Sequence, residues 1–171
     1  MNDGLLDCFR HNAWATRQVL DACRGLTDEQ LRAAVTGTYG SIIDTLRHTV
    51  RSEAGYCRRL TGEAANWLGP DADAPDIDEM IARNDDLAAR WERFLAAPFD
   101  AERIFVIPWH DSDRNVPAGV VLTQALHHGN EHRTQVCTTL TSIGVESPAL
   151  GVWEFAEATD RAPRVTARAE G

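Results

Sequence analysis

Apolar residues recur along this chain at intervals of three and four through four long stretches, the spacing of helices that bury one face. The first stretch places Leu5, Phe9, Ala13, Leu20 and Cys23 on one side, with Thr16 the one polar residue in the stripe. Asn2 or Asp3 can cap its start, and Gly25 marks its end. Thr27-Asp28-Glu29-Gln30 is a capping-box pattern, which predicts a short helix stopping before Gly37. A second long helix begins at Ser41-Ile42-Ile43-Asp44, turns Ile42, Leu46, Val50, Cys57 and Leu60 inward, and stops at Gly62. Beyond an acidic loop that carries Gly69-Pro70 and ends at Pro75, Asp76 and Glu79 cap a third helix. Its inner stripe is Ile77, Ile81, Asn84, Ala88, Trp91 and Leu95, and Pro98 ends it.

Residues 103–108 are too few for a helix and rich in β-formers, so a strand or a small hairpin with the residues around Val116 is expected there. Pro117 is suited to start a fourth long helix that runs to about Ile143, with Gly144 beyond it. One amphipathic piece follows at 152–159, and then a polar end. The pattern predicts an all-α domain over residues 1–160, a four-helix bundle with a longer crossover connection, followed by a polar tail at 161–171.

Composition narrows the possible partners. The chain has 171 residues, no lysine and a net charge of −9, so it repels phosphate backbones and no nucleic-acid partner is expected. Met1-Asn2-Asp3-Gly4 lacks the basic and apolar regions of a signal peptide. No apolar run approaches the roughly 18 residues that span a bilayer, so no membrane partner is expected. Cys8, Cys23, Cys57 and Cys137 form no CxxC pair and sit among helical apolar residues. They are expected to be free buried thiols of a cytoplasmic protein.

Candidate chemistry sits on the fourth helix. At about 100° per residue, Val121, Ala125, His128, His132, Val136 and Ile143 fall in one narrow sector. Two imidazoles therefore occupy core positions one turn apart. Left unpaired, each would cost on the order of 1–3 kcal/mol. Satisfying them with carbonyls or carboxylates is one answer; chelating a single ion from spacing i, i+4 is the better one. His127 points about 100° away, toward solvent. The string 128–132 also matches the protease pattern H-x-x-E-H, but Glu131 lies off the ligand face and little chain remains to supply a further carboxylate. A third ligand is needed, and His11, His48 and His110 are available. The helix wheel sets His48 opposite the apolar stripe, with Asp44, Ser52 and Gly55, so residue phase leaves the third ligand open.

Several segments, taken in order, resemble the DinB/YfiT-like family of metalloenzymes. They are Asn12-Ala13-Trp14-Ala15, then Gly40-Ser41-Ile42-Ile43-Asp44-Thr45-Leu46-Arg47-His48 with Glu53, and then His128-Gly129-Asn130-Glu131-His132-Arg133-Thr134-Gln135. The last is similar to the family's H-x-x-x-H-R-G-Q, with Thr134 where glycine is usual. Ser147-Pro148-Ala149-Leu150 and Trp153 resemble the family's tail. The resemblance implies a bundle whose divalent metal, Zn²⁺ or Ni²⁺, is held by His48, His128 and His132, against the helix wheel for His48. Asp44 and Gln135 are candidates to orient the ligand imidazoles, the alternatives being a helix-capping carboxylate and a polar side chain at the bundle edge. The function implied is a metal-dependent enzyme on a small molecule, either a thiol-dependent S-transferase or isomerase or a hydrolase. The alternative is a non-catalytic, stress-induced metal-binding protein. Similar proteins form homodimers, which is the expectation here. The acidic charge opposes a DNA-repair role.

Overall fold

A computed structural model of the chain describes residues 3–69 and 74–163. In order, the elements are α1 (Asp3–Cys23), α2 (Asp28–Leu31), α3 (Ile42–Thr61), α4 (Ile77–Ala96), β1 (Ile104–Pro108), β2 (Asp113–Pro117), α5 (Ala118–Ser142) and α6 (Val152–Ala158). Asn2, the loop residues 70–73 and the end of the polar tail, 164–171, lie outside the described residues. The fold is mostly helical, with one small two-stranded sheet.

Local chemistry sets the helix ends. Thr27 and Gln30 close a reciprocal capping box on α2. Ser41 caps α3 through the Asp44 backbone N–H, and Asp76 caps α4 through that of Glu79. Gly62 stops α3 in the left-handed region at φ 79°, where a Cβ would be strained. Pro117 precedes α5 in extended backbone rather than forming its first turn.

Four long helices share one core. α1 packs on α4 and α5, and α3 packs on α5 and α4, so each touches two neighbours. Phe9 and Trp91 meet across α1 and α4 with centroids 4.3 Å apart and ring planes tilted by 42°. Ion pairs Arg10–Glu92, Arg17–Asp85 and Arg24–Asp78 run along the same seam. They are exposed and add little to stability. The short α6 lies against α1, with Phe155 buried. The expected hairpin forms: β1 and β2 pair antiparallel with Ile104 opposite Pro117 and Pro108 opposite Asp113. It bridges α4 and α5, and Phe105 and Ile107 turn toward the core while Ile104 and Val106 face solvent.

Two expectations are corrected. All four cysteines are free, but only Cys23 and Cys57 are buried; Cys8 is exposed and Cys137 half-buried. Cys8 and Cys137 each lie next to the inner sector of their helix, and apolar neighbours in sequence do not fix which side of that sector packs. The buried face of α1 is also wider than its expected stripe, because Asn12, outside that stripe, is only 1% exposed. Among the described residues no helix is long and apolar enough to cross a membrane.

Candidate metal centre

The buried side of α5 is unusually polar. Val121, Leu122, Ala125, Val136 and Leu140 alternate there with Gly129, His132, Arg133 and Thr139. Helical phase divides these polar residues between two neighbours. His128 and His132 face α3, while Arg133 reaches Asn12 on α1. His127, in the same turn, is exposed, as its phase requires, and so is Glu131.

His48 comes to meet the pair from α3. Its Nε2 lies 3.0 Å from Nε2 of His128, and one ligand atom from each of His48, His128 and His132 falls within 4.8 Å of the other two. Tetrahedral bonds of about 2.0–2.1 Å from zinc to imidazole set ligand nitrogens about 3.3–3.4 Å apart. The His48–His128 pair is near that spacing, His132 offers its donor within 4.8 Å of both, and the set could hold a metal. His48 is half-buried rather than exposed, which corrects the helix wheel. The wheel fails because the flank of α3 next to His48 carries Thr45, Thr49, Ser52 and Tyr56, polar or half-polar residues that hydropathy does not register as inward. His11 and His110 do not join the group. His11 Nε2 is 2.8 Å from the Leu150 carbonyl, and His110 is exposed beyond β1.

Gln135 fixes the state of one imidazole. Its Oε1 accepts the Tyr39 backbone N–H at 3.0 Å and lies 3.0 Å from Nδ1 of His132. A backbone N–H can only donate, so the side-chain atom facing it is oxygen, and Nδ1 of His132 must carry the proton. The lone pair of His132 is therefore on Nε2. The same bond brings the 36–40 turn over the site: Tyr39 stacks on His48 with centroids 4.0 Å apart and meets His132 edge-on at 5.3 Å. Tyr56 meets His128 edge-on at 5.6 Å on the other flank. The Asp44 carboxylate is exposed and accepts the Ser41 hydroxyl at 2.6 Å, one turn before His48. Beside His48, a cavity of about 390 Å³ is lined by Tyr39, Asp44, Arg47, Trp67 and Arg83, among others.

Burial and repulsion from neighbouring imidazoles favour the neutral forms of His128 and His48. His128 is held down at about 4, first by burial and then by His132, His48 and His127. His48 is lowered by burial and then by His132. With both folded values below the ordinary 6.5, the unfolded chain takes up protons first as pH falls. The metal-free protein is therefore expected to lose stability on acidification from about pH 6.5 toward 4. Melting temperature measured against pH should fall through that window, and His128→Asn should flatten the slope. An unchanged slope in the variant would contradict this.

A polar group missed by periodicity lies deeper. The Glu53 carboxylate accepts from Asn12 Nδ2 at both of its oxygens, each at 3.1 Å, and from Trp91 Nε1 at 2.9 Å. Asn12 Oδ1 in turn accepts from Arg133 at 2.7 Å, and the same guanidinium nitrogen donates to Thr16 at 3.0 Å. Burial pushes the Glu53 carboxyl up, opposed by Arg133 and by its hydrogen bonds. Arg133 is lowered by burial to about 10 and stays cationic near neutral pH. A signal for the group was present: Glu53 is in helical phase with Leu46 and Leu60, a charge in the middle of an aliphatic stripe.

Known proteins agree with the fold. The DinB family model matches residues 1–166, and the chain belongs to that family. Among solved structures, the crystal structure of a DinB-like protein from Bacillus cereus ATCC 10987 has a TM-score of 0.64 to this one at 19% identity. The match covers 86% of this chain and 96% of that one, and at such identity it speaks for the fold. No curated protein matches.

Proposed function

We propose that this chain is a metal-dependent enzyme acting on a small molecule, with His48, His128 and His132 as ligands of one Zn²⁺ or Ni²⁺ ion. The scaffold is read as a four-helix bundle whose longer crossover is the hairpin connection from α4 to α5. The observation that carries the reading is the convergence of three imidazoles on a flank where His48 and His128 are only half-buried. Nitrogen donors suit zinc or nickel, and three protein ligands leave positions for another molecule. An ion held in this way supplies Lewis acidity, lowering the pKa of a thiol or water that reaches it.

In this reading Gln135 orients the His132 ring and fixes its tautomer. Tyr39 and Tyr56 wall the approach, and the cavity beside His48 is large enough for a small substrate. Asp44 secures the first turn of α3, from which His48 projects one turn on. The net charge of −9 favours a small-molecule partner over nucleic acid. The resemblance to thiol-dependent transferases makes a low-molecular-weight thiol the proposed substrate, in a cytoplasmic setting.

The test is thiol consumption. Metal-loaded protein is mixed with a small thiol and an aryl chloride. A sulfur–carbon bond forms, chloride leaves with its bonding pair, and the thiol proton passes to buffer. Wild type should consume thiol well above the protein-free rate, and His132→Ala should fall to that rate. Equal rates in the two proteins would contradict the proposal. Firm metal binding with no turnover would instead favour the non-catalytic metal-binding alternative.

A further inference from the structure

Each of the four long helices sends one polar side chain to the same point in the core: Asn12 from α1, Glu53 from α3, Trp91 from α4 and Arg133 from α5. Two members, and the glycine packed against the node, are close in sequence to the three imidazoles. Arg133 follows His132 directly, Gly129 follows His128, and Glu53 lies on the same helix as His48. We propose that this buried node sets the rotation and axial offset of α5 against α3, making Asn12, Glu53, Gly129 and Arg133 positioning residues for the three-histidine site. The inference rests on the reading of those histidines as metal ligands.

Three observations support it. The first is that aliphatic packing alone specifies the rotation of α5 weakly, because Gly129, His132, Arg133 and Thr139 interrupt its buried side. The directional bonds from Arg133 to Asn12 and Thr16, at 2.7 and 3.0 Å, specify it strongly. The tolerance required is narrow. A side-chain tip stands about 5–6 Å from the helix axis, so a rotation of about 20° moves it about 2 Å. Metal–ligand distances tolerate about 0.2 Å.

The second is the close approach at Gly129. A Cβ there would lie 2.6 Å from Asn12 Oδ1 and 2.8 Å from the Arg133 guanidinium, so even a methyl group displaces the bond that joins α5 to α1. The third is the choice of residues. A buried ion pair linked through an amide is a poor source of stability compared with aliphatic side chains of the same volume. It is a good source of fixed geometry.

Gly129→Ala separates positioning from stability. Alanine is the better helix former, and its methyl meets the tips of two side chains and no backbone atom. The variant is expected to fold. Cobalt(II) is the probe, with affinity read by titration and ligand geometry read from the visible spectrum. The melting temperature of the metal-free protein is measured in parallel. The proposal predicts a cobalt affinity lower by about tenfold or more and an altered spectrum, without a matching fall in metal-free melting temperature. Should Gly129→Ala fail to fold, the paired apolar variant Glu53→Met with Arg133→Met decides, with the same loss of cobalt affinity expected. Wild-type affinity and spectrum in the folded variant would overturn the positioning role and leave the metal reading standing. A wild-type protein that gives no cobalt spectrum would overturn the metal reading, and the node's role with it.

Discussion

Replacing Glu53 with alanine is expected to destabilise the protein by about 3–5 kcal/mol. The change strands three partners at once. Asn12 Nδ2 and Trp91 Nε1 lose their acceptor, and the Arg133 cation stays buried without its counter-charge. A cavity is left as well, since Glu53 is buried at 4% exposure. For a chain of this size each kcal/mol corresponds to about 2–4 °C, so melting should fall by on the order of 10 °C. Glu53→Gln should lose less, because one amide oxygen can still accept from Asn12 or Trp91, although its NH₂ then faces a donor. Removing an exposed pair such as Arg17–Asp85 should cost at most about 1 kcal/mol. Thermal or denaturant melting of the three variants checks the order. A Glu53→Ala protein as stable as wild type would show that the node does not bear on folding.

Alanine at any one of His48, His128 or His132 should cost the most on the binding side. Two imidazoles hold a divalent ion poorly, and two of these three share a single helix. With metal at 100 times its dissociation constant, wild type should gain about 2.7 kcal/mol of stability. His132→Ala should gain almost none at the same concentration. His127→Ala should behave as wild type, since that ring is exposed and outside the grouped ligand atoms.

The parts of this molecule that were legible in the sequence are those set by neighbours along the chain. Thr27 with Gln30, Ser41, Asp76 and Gly62 set helix ends through bonds or dihedrals within a turn. The β-formers at 104–107 gave the hairpin, and His128 and His132 announced themselves by sharing phase with Val121, Ala125 and Val136. The rest depends on which flanks of a helix find partners. His48 stands beside threonines, serine and tyrosine, so hydropathy put it outside. Only the family resemblance, and then the packing of α3 on α5, brought it in. Tyr39 comes from a turn with no periodicity, and it reaches the site because Gln135 ties down its backbone. Asn12 and Arg133 read as isolated polar residues until the four long helices meet, and Cys8 and Cys137 look as buried as Cys23 and Cys57 until the faces are known.

That three histidines from two helices hold one ion is tested most directly by elemental analysis of the purified protein and its variants. The account predicts close to one zinc or nickel per wild-type chain, the same for His127→Ala, and a loss of nearly all bound metal in His48→Ala, His128→Ala and His132→Ala alike. Equal metal content in wild type and these three variants would contradict it.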